Sequence, residues 1–140
     1  MIFGDTVKRL DYMARYRTAD LFLDTHPYNA GTTASDALKM GLPMITFLGH
    51  SYQARMGASI VNALDLPELI TNTPEEYEAL AIELATNPDK LKAIKDKLTS
   101  NLTTAPLYNT KLFVKNLESA YTTMYERHHE GLEPDHIYVE

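Results

Sequence analysis

The 140-residue sequence contains no cysteine and no tryptophan. Without thiols the chain forms no disulfide, no thiolate nucleophile and no cysteine–zinc site, and it suits a reducing compartment. It also has no apolar run near the roughly 20 residues that span a bilayer. Its first residues do not combine a basic segment with a long apolar one. We therefore expect no membrane association, no signal peptide and a cytoplasmic location.

An excess of basic residues is missing as well, since 13 Lys and Arg oppose 19 Asp and Glu, for a net charge of −6. Because nucleic-acid binding depends on neutralising phosphates with Lys and Arg, we expect no nucleic-acid partner. The imbalance lies in residues 66–140, with seven basic and thirteen acidic residues, whereas residues 1–65 hold six of each. An anionic ligand is therefore repelled less by the first half.

Short apolar runs alternate with helical patterns, and this order predicts an α/β fold with a parallel sheet. Strands are predicted at Ile2–Phe3, 21–24, 43–47 and 69–70. Helices are predicted over 7–19, 33–40 and 52–64, from Pro74, from Pro88 and over 110–129. We expect an α/β portion over 1–72 and a helical C-terminal portion over 73–140 of the same domain.

The segment from Leu23 to Asp36 places a loop at the carboxyl end of a predicted strand and leads it into a helix. Ligands bind at this edge of open α/β sheets, and a helix start offers unpaired N–H groups that suit phosphate. Gly31 permits close approach of a ligand, Thr32 and Thr33 add hydroxyls, and Asp36 can accept hydrogen bonds from a ribose. The structural alternative is a capping box, with Thr33 at the helix start and Asp36 returning the bond.

The residues 21–38, LFLDTHPYNAGTTASDAL, followed by Gly41-Leu42-Pro43, resemble the core motif of the O-linked N-acetylglucosamine transferase and SPINDLY family, glycosyltransferase family 41. The resemblance continues through 54–59 and 106–110 to 134–136, so it covers nearly the whole chain in order. It implies part of the C-terminal, nucleotide-binding domain of a glycosyltransferase B fold, with a Rossmann-like parallel sheet. The nucleotide-binding portion is then 1–72.

The resemblance also implies an activity, the transfer of a sugar from a nucleotide diphosphate to Ser or Thr hydroxyls of proteins. No cofactor and no metal are expected beside the nucleotide-sugar donor. Acceptor binding in the family draws on an N-terminal domain and tetratricopeptide repeats that these 140 residues lack, so we expect the isolated chain to be inactive. An uncovered sheet edge and uncovered apolar faces would favour a homo-oligomer.

Site residues follow from the resemblance position by position. At the diphosphate it implies Gly31, Thr32, Thr33 and Arg9; at the ribose and base it implies Asp36, Tyr12, Val7 and Arg15. From their places in the loops and helix beside this segment, His26, His50 and Arg55 are second-tier candidates. The animal enzymes carry His where this chain has Gly31 and where it has Tyr12. The donor is therefore open between UDP-N-acetylglucosamine and GDP-fucose.

Two other functions remain as alternatives. One is a non-catalytic module that binds a nucleotide or a protein, and the other is a glycosyltransferase B enzyme with a small-molecule acceptor. No residue is a convincing general base, so the catalytic residues stay unknown. A metal site at His128, His129 and His136 is not expected, because adjacent helical residues point in different directions and closed sites need three or four converging ligands.

Overall fold

The structure, a computed structural model, describes residues 4–139, so the predicted strand at Ile2–Phe3 lies outside the described residues. The chain divides into two compact units, one ending at Ala105 and one beginning at Pro106. The division that composition suggests after residue 72 stays a prediction. No helix within residues 4–139 is both long and apolar enough to cross a membrane.

Three short parallel strands form the sheet of the first unit, in the order in which they occur along the chain. They are β1 (Phe22–Leu23), β2 (Met44–Phe47) and β3 (Ile70–Thr71). In the register, Phe22 lies opposite Met44, Leu23 opposite Ile45, Thr46 opposite Ile70 and Phe47 opposite Thr71. The predicted parallel α/β sheet is confirmed. Because the strands run the same way, their carboxyl ends share one edge.

Five helices precede, connect and follow the strands in the first unit. They are α1 (Arg9–Arg15), α2 (Thr32–Lys39), α3 (Met56–Asn62), α4 (Pro74–Thr86) and α5 (Pro88–Asn101). Turns of 3₁₀-helix at Tyr16–Thr18 and Gln53–Arg55 adjoin α1 and α3. The helices predicted over 7–19 and 52–64 are therefore each a shorter α-helix joined to a 3₁₀ turn. Gly41, with φ of +83°, follows α2 in the left-handed conformation that favours glycine, as the predicted stop requires.

The core of the first unit surrounds β2, which contacts both other strands and the helices α2, α3 and α4. Met44, Ile45 and Thr46 are fully buried, as expected for a central parallel strand covered on both faces. The surrounding leucines are Leu38, Leu64, Leu66, Leu69, Leu84 and Leu98. Burial of one such side chain contributes roughly 1.5–3 kcal/mol. The loops at the carboxyl edge of the sheet therefore rest on the most densely packed strand.

The second unit is built on α6 (Thr110–His129), which has the predicted bounds, and Gly131 follows it with φ of +69°. The sequence predicts one apolar stripe along this helix, formed by Phe113, Leu117, Ala120, Tyr121 and Met124. None of the helix's residues is buried within the described part of the chain, and Phe113, Tyr121 and Met124 are more than half exposed. Self-association through such a face stays a prediction.

Candidate functional site

The loop between β1 and α2 is held by a buried carboxylate. Asp24, at the end of β1, is only 7% exposed. Its Oδ1 accepts hydrogen bonds from Thr25 N at 2.9 Å and Ala30 N at 2.8 Å, and its Oδ2 accepts one from Thr46 Oγ1 at 2.7 Å. Three donors therefore satisfy the carboxylate, as burial of a charge requires. They fix both ends of the loop to the central strand.

Gly57 in α3 lies directly against this carboxylate. A Cβ atom at Gly57 would stand 2.3 Å from Asp24 Oδ2 and 2.3 Å from Thr46 Oγ1. Carbon and oxygen cannot approach that closely, so only glycine leaves room for the Asp24–Thr46 hydrogen bond. The third helix thereby reaches the site loop through its backbone.

Two further hydrogen-bonding groups brace the same loop. The buried Asn29 side chain donates to Thr25 O at 2.9 Å and accepts from Gly57 N at 3.2 Å. The Tyr77 hydroxyl of α4 donates to Asp24 O at 2.8 Å. Burial, with the Asp24 charge as a lesser cause, raises the pKa of Tyr77 to about 12. The phenol is thus a stable donor across the physiological pH range.

The loop delivers the chain to the N-terminus of α2, where Gly31 is the N-cap residue. No side chain of the described residues caps this end, so the predicted capping box of Thr33 and Asp36 is wrong. The physical reason is that α2 begins at Thr32, which places Thr33 inside the helix, while the Asp36 carboxylate bonds to a residue of α1. The first intrahelical bond runs from Ser35 N to Gly31 O at 3.0 Å. The amides before it have no acceptor within α2 and are suited to an anion.

Asp36, one turn into α2, pairs with Arg9 at the start of α1. Arg9 Nη2 lies 3.2 Å from Asp36 Oδ1 and 3.3 Å from Oδ2. The Arg9 side chain is 70% exposed and that of Asp36 is 14% exposed. The structure therefore joins a residue predicted at the diphosphate to one predicted at the ribose, although 27 residues separate them in sequence.

Two tyrosines complete this cluster, Tyr12 in α1 and Tyr16 in the 3₁₀ turn that follows it. The hydroxyls of Tyr12 and Tyr16 lie 2.7 Å apart, and their rings meet edge to face with centroids 5.3 Å apart. Tyr16 also donates a long hydrogen bond, 3.5 Å, to Thr33 O. Burial, and next its hydrogen bond with Tyr12, raises the pKa of Tyr16 above its usual value. Tyr12, predicted at the base, is thus connected to the N-terminal turn of α2.

Two further residues are predicted at the ribose and base, Val7 before α1 and Arg15 at the end of α1. Val7 is half-buried before the helix. Arg15 Nη1 donates to Asp5 O at 2.7 Å, so this guanidinium holds the backbone that leads into α1.

Other predicted residues line two cavities at the carboxyl edge of the sheet. Gly31 and Thr32 border a cavity of about 220 Å³ whose walls include the exposed rings of Tyr28 and Tyr52. All three second-tier residues, His26, His50 and Arg55, border a separate cavity of about 490 Å³. The His26 ring packs on Phe47 with centroids 4.3 Å apart. Both cavities are bordered by residues of the segment 51–55, and neither lining includes Arg9 or Asp36.

The sequence reasoning missed the residues that hold the site loop, Asp24, Asn29, Thr46, Gly57 and Tyr77, and it also missed Tyr16. An acidic residue directly after an apolar predicted strand was the one sequence signal that could have indicated Asp24. Among the described residues, no group of three or more His, Asp or Glu side chains converges as metal ligands would, and this includes His128, His129 and His136.

Three comparisons with known proteins each match glycosyltransferases. A sequence profile described as Glycosyl transferase family 41 matches residues 1–117. An Arabidopsis thaliana protein, described as probable UDP-N-acetylglucosamine–peptide N-acetylglucosaminyltransferase SEC, is 38% identical over 140 residues, 99% of this chain. A Hordeum vulgare protein with the same description but the name SPINDLY is 33% identical over 124 residues, 89% of this chain. A solved structure, a mutant O-GlcNAc transferase from Thermobaculum terrenum, aligns with a TM-score of 0.79 and 33% identity over 85% of this chain.

The matched proteins are much longer. This chain spans 14% and 13% of the two curated relatives and 23% of the solved structure. It therefore corresponds to about one seventh of the length of those curated relatives.

Proposed function

The chain belongs to glycosyltransferase family 41 and has the parallel-sheet architecture of part of a glycosyltransferase B fold, and from this premise we propose that it binds the donor nucleotide of a protein O-glycosyltransferase. The observation that carries the proposal is the cluster at the N-terminus of α2. There Arg9, from α1, pairs with Asp36, and Tyr16 links Tyr12 of α1 to the backbone oxygen of Thr33. Positive, hydroxyl and aromatic groups thus face one end of a helix, as a nucleoside diphosphate requires.

In the proposed reaction an acceptor hydroxyl attacks the anomeric carbon, the new C–O bond forms, and the bond from that carbon to the diphosphate oxygen breaks. The diphosphate leaves with the electron pair of that bond. The unpaired amides of α2, the hydroxyls of Thr32 and Thr33, and Arg9 would stabilise the charge that develops on it. The proton of the acceptor passes to a general base, a role that we assign to no residue of this chain.

The Arg9–Asp36 pair fits this proposal because the two groups are easily separated. An exposed ion pair contributes at most about 1 kcal/mol. A ribose hydroxyl bound to Asp36 would therefore displace a guanidinium that is 70% exposed. Arg9 would then be free to reach the diphosphate.

The curated relatives named here are described as UDP-N-acetylglucosamine–peptide transferases, so UDP-N-acetylglucosamine is the first donor to test and GDP-fucose the second. We propose that an N-terminal domain and tetratricopeptide repeats in a longer cytoplasmic protein supply the peptide acceptor site. Incubation of this chain with either donor and a Ser/Thr peptide should then give no transfer. Measurable transfer by this chain alone would contradict the proposal that the acceptor site lies outside it.

Calorimetric titration with UDP and GDP tests the binding role. Asp36→Asn should lower the affinity for the preferred nucleotide about 10-fold or more, because hydrogen bonds to charged groups contribute about 1.5–3 kcal/mol. Thr33→Ala should lower it about fivefold. The matched controls Asp89→Asn and Thr104→Ala change exposed residues outside the cluster and should leave both affinities within twofold. If the folded chain binds neither UDP nor GDP, the proposal is wrong and the non-catalytic protein-binding alternative is favoured.

A further inference from the structure

Tyr16 occupies the centre of the candidate site, yet neither the motif nor the resemblance assigns it a role. It lies in the 3₁₀ turn after α1 and is half-buried. Its hydroxyl lies 2.7 Å from that of Tyr12 and 3.5 Å from Thr33 O. One hydroxyl therefore joins the residue proposed at the base to the helix start proposed at the diphosphate.

The direction of these hydrogen bonds follows from the number of protons. A tyrosine hydroxyl has one proton to donate, and Thr33 O can only accept. When Tyr16 donates to Thr33 O, the proton in the 2.7 Å contact must come from Tyr12. The Tyr12 oxygen then keeps only acceptor lone pairs for any ligand beside it. The raised pKa of Tyr16 agrees with a hydroxyl that stays protonated and retains its donor role.

An acceptor opposite the Watson–Crick edge of a base would distinguish bases by one ring nitrogen. Uracil N3 and guanine N1 carry a hydrogen, whereas the equivalent nitrogens of cytosine and adenine carry a lone pair. A hydroxyl oxygen that only accepts would favour uracil over cytosine and guanine over adenine. If the Tyr12 hydroxyl could turn and donate, it would serve both members of each pair.

We propose that Tyr16 is a positioning residue for base recognition, which acts through Tyr12 by packing against its ring and by orienting its hydroxyl as an acceptor. The proposal rests on the proposed nucleotide-binding function. The edge-to-face contact at 5.3 Å holds the Tyr12 ring, and the link to Thr33 O sets the ring's place relative to α2.

The test compares affinities of the folded chain for UDP against CDP, for GDP against ADP, and for inorganic pyrophosphate. The variants are Tyr16→Phe, Tyr12→Phe and the double variant, and Tyr138→Phe is the matched control because Tyr138 is 90% exposed in the C-terminal tail. Tyr16→Phe should reduce the UDP/CDP or GDP/ADP preference about fivefold, the effect of one neutral hydrogen bond. Pyrophosphate affinity should change less than twofold.

The double variant separates action through Tyr12 from a general structural effect. If Tyr16 acts through Tyr12, the preference in Tyr12→Phe/Tyr16→Phe should equal that in Tyr12→Phe alone. The proposal is overturned if Tyr16→Phe keeps the base preference, or if it weakens every nucleotide and pyrophosphate equally. If the wild-type chain binds no nucleotide, the proposed nucleotide-binding function is itself wrong.

Discussion

The two sides of the α2 N-terminus are held in different ways. On the side of the sheet, the Asp24 carboxylate and the Asn29 amide are buried and their hydrogen bonds run at 2.7–3.2 Å. On the side of α1, Arg9 of the Arg9–Asp36 pair is 70% exposed and the Tyr16–Thr33 bond is long at 3.5 Å. The α2 N-terminus is therefore held on one side by buried groups, here called the frame (Asp24 and Asn29 with their partners). On the other side lie the front groups, Arg9, Asp36 and Tyr16, whose contacts are more easily exchanged.

This difference separates folding from binding in energetic terms. Buried hydrogen bonds are costly to leave unmade, at about 1–3 kcal/mol per unsatisfied group, because water cannot replace the partner. Exposed ion pairs exchange readily with water and with ligands. Changes to the frame should consequently lower stability, and changes to the front groups should lower nucleotide affinity with little effect on stability.

Gly57→Ala should produce the largest loss, about 3 kcal/mol or more of the free energy of unfolding. The new Cβ would meet both Asp24 and Thr46 at 2.3 Å, which combines overpacking with the loss of a buried hydrogen bond. Urea unfolding measures this loss. Ser59→Ala, at an exposed position of the same helix, should change stability by about 0.5 kcal/mol or less. A Gly57→Ala protein as stable as wild type would contradict the conclusion that the frame determines stability.

Asp24→Asn should cost about 2 kcal/mol, because an NH₂ group replaces one carboxylate oxygen while all three donors still need acceptors. Thermal unfolding monitored by circular dichroism gives the change. The control is Asp11→Asn on the first turn of α1, which is exposed and should be nearly silent. Equal effects of the two substitutions would contradict a special role for the buried carboxylate.

Tyr77→Phe should cost about 1 kcal/mol at neutral pH, the contribution of one hydrogen bond, here to Asp24 O. Its pH dependence has a definite sign. The folded pKa of about 12 lies above the unfolded value of 10.0, so the protonated phenol stabilises the fold below pH 10 and this stability is lost as pH rises toward 12.

Urea unfolding of wild type and Tyr77→Phe at pH 7, 9 and 11 checks this expectation. The difference between the two proteins should be constant up to pH 9 and shrink at pH 11. Tyr138→Phe should show neither effect, because that ring is 90% exposed. A difference that grows with pH would show that the sign is wrong.

Arg9→Gln should have the smallest effect on folding, about 0.5 kcal/mol or less, since its side chain is 70% exposed. Nucleotide affinity should nevertheless fall about 10-fold, because Arg9 is proposed to bind the diphosphate. Parallel calorimetry and urea unfolding give the two quantities. Arg17→Gln, an exposed neighbour in sequence, should change neither. A larger effect on stability than on binding would place Arg9 in the frame.

Much of the fold could be predicted because its signals are local. Apolar runs marked β1 and β2, and Thr73 and Asn87 cap α4 and α5 with the hydrogen bonds that their positions predict, at 3.1 Å each. The bounds of α6 also follow from periodicity. The same periodicity does not predict which residues are buried. Leu10 fits the helical spacing of α1 yet is 84% exposed, because periodicity states which residues share a face and not what covers it.

The candidate site, like the fold, could be predicted only in part. The resemblance gathers Thr33, Asp36, Arg9 and Tyr12 in one proposal, and in the structure Arg9 pairs with Asp36 while Tyr16 links Tyr12 to Thr33. The capping box failed because Asp36 had two available partners, and the guanidinium of Arg9 lies 27 residues away in sequence. Local spacing cannot reveal a competitor that only the folded chain brings near.

Local sequence was enough to predict the element order, the parallel sheet and the position of a glycine–threonine loop at the start of α2. These follow from short-range patterns of apolar, turn-forming and capping residues. Two contacts become visible only in the folded chain: Gly57 makes room for the Asp24–Thr46 bond, and Tyr16 connects Tyr12 to Thr33. Such contacts depend on distances of a few ångströms between segments remote in sequence, and chain packing alone sets those distances.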